Sequence, residues 1–342
     1  MKAVITDGQG KLWIEEIPKP KIGDYDALVK IEACAFCNST DRQIINGNFL
    51  YAKGDEYPVI LGHESVGSII EVGSKVKKYK VGDHVLHPNA EIEGWGHMWG
   101  GFAEYGSVTD FEAWKADHPD QIPGYFWPMQ QTIPDWLGFE KATLIITLRE
   151  TWSWLNNIGL DEKCHTAAVI GTGPVGLCFV RWLKLRGVES VFAIGRRTKT
   201  LNLARTMGAD DVVDTRSQDP GAELRKWTNN CGVDFIISAV SSKKVVGEAV
   251  GWLSEGGRIA AYGSPDADEK SAGLLWGYSP TSWSLHYSVT DEPAAHEEIL
   301  EIVSAGEINL ESLISDIYQI DQVEEAYQQI LNKKAIKVVI RL

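Results

Sequence analysis

The chain has 342 residues, with 33 Lys plus Arg against 47 Asp plus Glu and a formal net charge of −14. Such a field repels a phosphate backbone, which argues against nucleic acid as a partner. A composition of 44% hydrophobic and 23% charged residues is that of a soluble globular protein, long enough here for two cored domains. The opening MKAVITDGQG has no long apolar stretch before Asp7 and reads as a first strand, not a signal peptide. No apolar run approaches a membrane span. Five scattered cysteines (Cys34, Cys37, Cys164, Cys178 and Cys231) do not form a disulfide framework, and a cytoplasmic location is expected.

Two textures follow one another along the chain. The first part alternates short strands with glycine breaks, as in ALVKIEACAF, SVGSIIEVGS and GDHVLHPN. From about residue 164 strands and amphipathic helices alternate: TAAVIG, GPVGLCFVRWLKLRG, SVFAIG, TKTLNLARTMGA, DDVVD, VDFIISAV, KKVVGEAVGWL and GRIAAYG. That pattern predicts a doubly wound parallel sheet covered by helices on both faces. The end, PAAHEEILEIVSAGEI to IKVVIRL, predicts helix, loop, helix and a last strand that returns to the first domain. We assign 1–152, completed by 290–342, to the first domain and 153–289 to the second.

Gly171, Gly173 and Gly176 form G-x-G-x-x-G between the strand AAVI and a helix opened by Pro174 and Val175. In that setting the glycines serve a tight turn, close approach to a pyrophosphate and close helix packing, the fingerprint of a dinucleotide site. The next strand ends not in Asp or Glu but in Gly195-Arg196-Arg197, with Lys199 just beyond. Glycine leaves room for a ribose 2′-phosphate and guanidinium groups clamp it, so NADP(H) is the expected cofactor.

Cys34 and Cys37 stand three apart in ACAFCNSTD, and GHE places His63 and Glu64 26 residues after Cys37. Thiolate, imidazole and carboxylate can hold zinc with one position open to substrate. A redox CxxC is expected at a helix start in a different fold. Cys37-Asn38-Ser39-Thr40-Asp41, Gly62-His63-Glu64, VGDHV and GTGPVG together resemble the zinc-type medium-chain dehydrogenase/reductase family over nearly the whole chain. The resemblance implies an α/β architecture with a strand-rich GroES-like catalytic domain and a Rossmann domain, and an active site in the cleft between them. It puts Cys37 and His63 at the catalytic zinc, Glu64 on or beside the metal, and Ser39 at the hydroxyl that passes the substrate proton towards solvent. Cys34 is then a small buried strand residue. The resemblance also implies a dimer or tetramer.

Three departures qualify the match. The lobe between His87 and Tyr105 has no cysteine, so one zinc per chain is expected and no structural one. Arg42 stands where some relatives carry a relay histidine. Ile146 stands at the family's third ligand position and cannot bind metal; Glu150, one helical turn on, is an alternative ligand to Glu64. Among 13 tryptophans, Trp95, Trp99, Trp127 and Trp136 lie in glycine- or proline-rich stretches and suit the C–H faces of a polyol or sugar. The expected activity is a zinc-dependent, NADP(H)-preferring interconversion of a secondary alcohol and a ketone. Alternatives are a zinc-independent reductase of an activated double bond or quinone, and a non-catalytic NADP(H)-binding sensor or structural protein.

Overall fold

In the computed structural model, residues 1–49, 57–124, 126–240, 242–262, 284–286 and 288–342 are described, apart from the side chains of His97 and Lys243. The chain forms two units, Met1–Thr147 with Asn309–Leu342, and Leu148–Ile308. Among the described residues no helix is long and apolar enough to cross a membrane.

The first unit is built on two sheets. The larger follows the order Ile314–Gln319, Lys337–Arg341, Asp26–Ala35, Glu64–Val72, His84–Leu86 and Thr132–Ile133, with Tyr105–Thr109 also paired to Asp26–Ala35. The expected return of the chain end is therefore observed: Lys337–Arg341 pairs antiparallel with Asp26–Ala35, aligning Val339 with Ala35. On its other side the same strand aligns Ala35 with Glu64. Three segments distant in sequence thus meet at one end of this sheet. The smaller sheet runs Leu12–Glu16, Lys2–Thr6, Val59–Ile60 and Gly96–His97. Its Lys2–Thr6 strand is the predicted first strand.

The second unit carries six parallel strands in the order Asp211–Asp214, Ser190–Gly195, Thr166–Ile170, Val233–Ser238, Leu253–Ala261 and Ser284–His286. Buried runs such as Ala167–Ile170 and Val191–Ile194 account for the absence of period-two alternation in the sequence, because helices cover both faces. This is a doubly wound order, whose topological switch point lies beside the first strand, Thr166–Ile170, where the glycine-rich loop leaves.

The division differs from the expected one at residues 148–152 and 290–308, which join the second unit. The reason is a buried latch between two helices, Phe139–Ile158 and Glu292–Ser304. The fully buried Arg149 guanidinium donates to Glu292 Oε2 at 3.1 Å and lies 3.3 Å from His296 Nδ1. Trp152 Nε1 donates to Glu298 at 2.6 Å, and Asp291 N donates to Ser153 Oγ at 3.0 Å. No periodicity in the sequence reveals a buried arginine paired across more than a hundred residues.

Removing one partner of a buried ion pair strands the other charge away from water. Glu292→Ala should lower the stability of the second unit by about 3 kcal/mol, read as the shift of its denaturant-induced unfolding followed by tryptophan fluorescence. Unchanged unfolding would show that the latch contributes nothing.

Candidate metal and cofactor sites

The metal site begins with strand register. Because Ala35 pairs with Glu64 on one side and Val339 on the other, Cys37, two residues past Ala35, emerges at the level of Lys337. Gly62 holds φ of +101°, and a Cβ there would collide with the Phe102 backbone nitrogen, so only glycine makes the turn that presents His63. The result is a compact donor set. Cys37 Sγ, a His63 ring nitrogen and a Glu64 carboxylate oxygen lie within 4.8 Å of one another.

Second partners hold each donor. Asp41, almost wholly buried in the first turn of helix Thr40–Ile45, accepts the Cys37 backbone N–H through Oδ2 at 2.8 Å. Its Oδ1 lies 3.1 Å from His63 Nδ1, which leaves Nε2 of the ring to face a metal. Burial works against a charged His63, but the Asp41 carboxylate and the Cys37 sulfur outweigh it and raise the proton affinity well above the usual histidine range. Glu64 is paired with the buried Lys337 ammonium at 2.5 and 2.6 Å, and Thr147 Oγ1 donates to Glu64 Oε1 at 3.3 Å. Burial disfavours the Lys337 charge, yet Glu64 and Cys37 together raise its pKa above the ordinary value.

Thiolate, imidazole and carboxylate converging from separate segments suit zinc, and three protein donors leave one position open. Among the described residues this is the one group of at least three His, Cys, Asp or Glu side chains so arranged, and Glu150 is not a member. Glu150 is half-buried; Thr147 is the residue of its helix that touches Glu64, while Ile146 is buried. Cys34 is fully buried, and burial pushes its thiol well above the usual range. Ser39 is exposed, its Oγ accepting from Gln43 Nε2 at 3.2 Å. The sequence reading missed Asp41 as a second partner, although it stands four residues after Cys37. It also missed Lys337, whose one signal was a lysine within the apolar run AIKVVI.

One of the four singled-out tryptophans stands at this site. Trp99 meets the His63 ring edge-on at 4.8 Å, and Phe49 and Phe126 meet Trp99 at 5.8 and 5.1 Å. Trp95 packs against the Ala3–Ile5 core cluster, Trp127 stands against Trp114, and Trp136 is exposed.

In the second unit Gly173 caps helix Pro174–Leu185, with Pro174 in its first turn and Val175 beside it. A Cβ on Gly176 would collide with the Gly171 carbonyl oxygen, whereas one on Gly173 would meet nothing within 4 Å. The loop is therefore closed on its protein side and open on the other, a cradle that fits a pyrophosphate. At Gly195 a Cβ would strike Thr172 Oγ1, which is tied to Thr200 Oγ1 at 2.7 Å, so a carboxylate-bearing residue has no room there. Arg196 and Lys199 are exposed, and Arg197 is half-buried.

Comparison with known proteins gives the family of the chain. The alcohol dehydrogenase GroES-like domain matches residues 23–118, and the zinc-binding dehydrogenase domain matches 174–286. The NADP-dependent isopropanol dehydrogenase of Thermoanaerobacter brockii is 31% identical over 283 residues, covering 76% of this chain and 75% of that protein. The sorbitol dehydrogenase of Bacillus subtilis (strain 168) is 27% identical over 353 residues, covering 99% and 97%. A putative zinc-binding dehydrogenase from Sinorhizobium meliloti 1021, solved bound to NADP, shares the fold with a TM-score of 0.80 at 24% identity, covering 100% of this chain and 99% of that one. The chain belongs to the zinc-type medium-chain dehydrogenase/reductase superfamily, with a GroES-like domain and a Rossmann domain.

Proposed function

We propose that this protein is a zinc-dependent, NADP(H)-preferring alcohol dehydrogenase that interconverts a secondary alcohol, of the polyol or sugar class, and its ketone. The observation that carries the reading is the convergence of Cys37, His63 and Glu64, each backed by a second partner. A zinc-independent reductase would have no use for a thiol, an imidazole and a buried carboxylate at one point. When bound, zinc supplies Lewis acidity to the substrate oxygen and the nicotinamide exchanges hydride with the substrate carbon.

The chain's own residues do the rest. Cys37, His63 and Glu64 would hold the metal. Asp41 fixes the His63 ring and the Cys37 backbone together, so that ring and thiol keep one orientation. Lys337 offsets the Glu64 charge in the buried site. Ser39, exposed at the start of its helix, would carry the substrate hydroxyl proton to solvent. Trp99, with Phe49 and Phe126 edge-on to it, gives an aromatic flank beside His63 for the carbon face of the substrate. Isopropanol and sorbitol dehydrogenases are among the relatives, in keeping with a secondary alcohol. Five cysteines outside any disulfide suit the reducing cytoplasm.

Metal analysis of the purified protein should find about one zinc per chain. Cys37→Ser should lose zinc and turnover while its circular dichroism spectrum stays that of the parent. Full turnover by metal-free protein would favour the reductase reading instead. Arg196→Ala should weaken NADP(H) binding by about 1.5–3 kcal/mol and leave NAD(H) nearly unchanged, measured by cofactor fluorescence titration; equal losses for the two cofactors would overturn the preference.

Lys337→Met separates the two claims on Glu64. In metal-free protein it should cost about 3 kcal/mol of stability, because the carboxylate is left buried and unpaired. Added zinc should recover part of that loss in a thermal melt if Glu64 faces the metal.

A further inference from the structure

The loop after strand Asp211–Asp214 brings a cation to the edge of the proposed cofactor site that no sequence motif marks. In the parallel pairing Gly195 is aligned with Asp214, so the loops following the two strands leave the same edge of the sheet. They are tied together: the Thr215 backbone N–H donates to the Gly195 carbonyl at 2.9 Å. Within the second loop the Asp214 N–H donates to Gln218 Oε1 at 3.0 Å, and the Ser217 and Gln218 N–H groups return to the Asp214 carbonyl.

From this fixed turn Arg216 reaches back towards the first. Its Nε donates to both carboxylate oxygens of Asp214 at 2.9 and 3.1 Å, and its Nη2 to Asp214 Oδ2 at 2.5 Å. The same Nη2 donates to Thr198 Oγ1 at 3.0 Å. Thr198 is the first residue of the helix that follows Arg196 and Arg197. The guanidinium is therefore held flat against the turn where the sequence replaces the usual acid by Gly195, and it stays about half exposed.

We propose that Arg216, oriented by Asp214 and Thr198, is a further 2′-phosphate-recognising residue that sets cofactor choice together with Arg196 and Arg197. The inference rests on the NADP(H) reading and deepens it. Arg196 and Arg197 come from the loop after Gly195, and Arg216 adds from the loop after the next strand a planar donor suited to a phosphate. Asp214 has two effects. It fixes the guanidinium, so little side-chain freedom remains to be lost on binding, and its own negative charge is met by Arg216 before a phosphate arrives.

The test uses two probes that differ by one group, 5′-AMP and adenosine 2′,5′-bisphosphate, titrated calorimetrically into the full-length protein without substrate. The wild type should bind the bisphosphate at least about tenfold more tightly. Arg216→Ala should cut that ratio about fivefold or more while 5′-AMP affinity and the melting temperature hold, a combination that loss of a merely structural ion pair does not give. Asp214→Asn, which keeps the cation but loosens its tether, should fall between the two. A wild-type ratio near one would overturn the NADP(H) reading and the inference with it. A wild-type preference that survives Arg216→Ala would overturn the role of Arg216 alone.

Discussion

The candidate metal site depends on the register of one strand. Asp26–Ala35 lies between Glu64–Val72 and Lys337–Arg341, with Ala35 opposite both Glu64 and Val339. A slip of one residue on either side would turn the alternate side chains to the other face of the sheet. It would separate the Glu64 carboxylate from the Lys337 ammonium and leave two charges buried without partners. The buried ion pair and the sheet therefore specify one another. Cys37 and His63, which follow and precede the paired residues, inherit their positions from that register.

A second constraint is steric and acts in the nucleotide-binding unit. Gly176 lets helix Pro174–Leu185 begin against the Gly171 carbonyl, and Gly195 lets its strand end against Thr172. Among the described residues nothing lies within 4 Å of a Cβ placed on Gly173, and the contact at Gly195 excludes an acidic side chain from the end of the second strand. Arg216 reaches the same turn through Thr198, on a chain whose overall charge is −14.

Helix Phe139–Ile158 shows how one element serves two purposes. Thr147 touches the Glu64 carboxylate, while Arg149, two residues on, is buried against Glu292 and His296. Those two side chains point to different faces of the helix, Thr147 belonging to the first unit and Arg149 to the second. From the sequence, Glu150 on this helix stood as an alternative to Glu64 as a zinc ligand. The structure instead finds on it a hydroxyl donor to Glu64 and one half of a buried latch.

By itself the sequence determined the elements that local pattern encodes. The glycine fingerprint between strand and helix and the apolar parallel strands are short-range signals with a physical reason for each residue type, while the convergence of Cys37 with His63 and Glu64 was expected from the family resemblance. Tertiary structure alone decided which distant groups complete them. Lys337 lies 273 residues from Glu64, and Arg149 lies 143 from Glu292. Arg216 reaches Thr198 across 18 residues and a strand. Of four candidate tryptophans, Trp99 alone came to stand against His63, because that depends on how its lobe folds back and not on its neighbours in sequence. Partners of buried charges are chosen by the requirement that no charge be left alone in the interior, and that requirement acts on proximity in space, which a one-dimensional pattern does not carry.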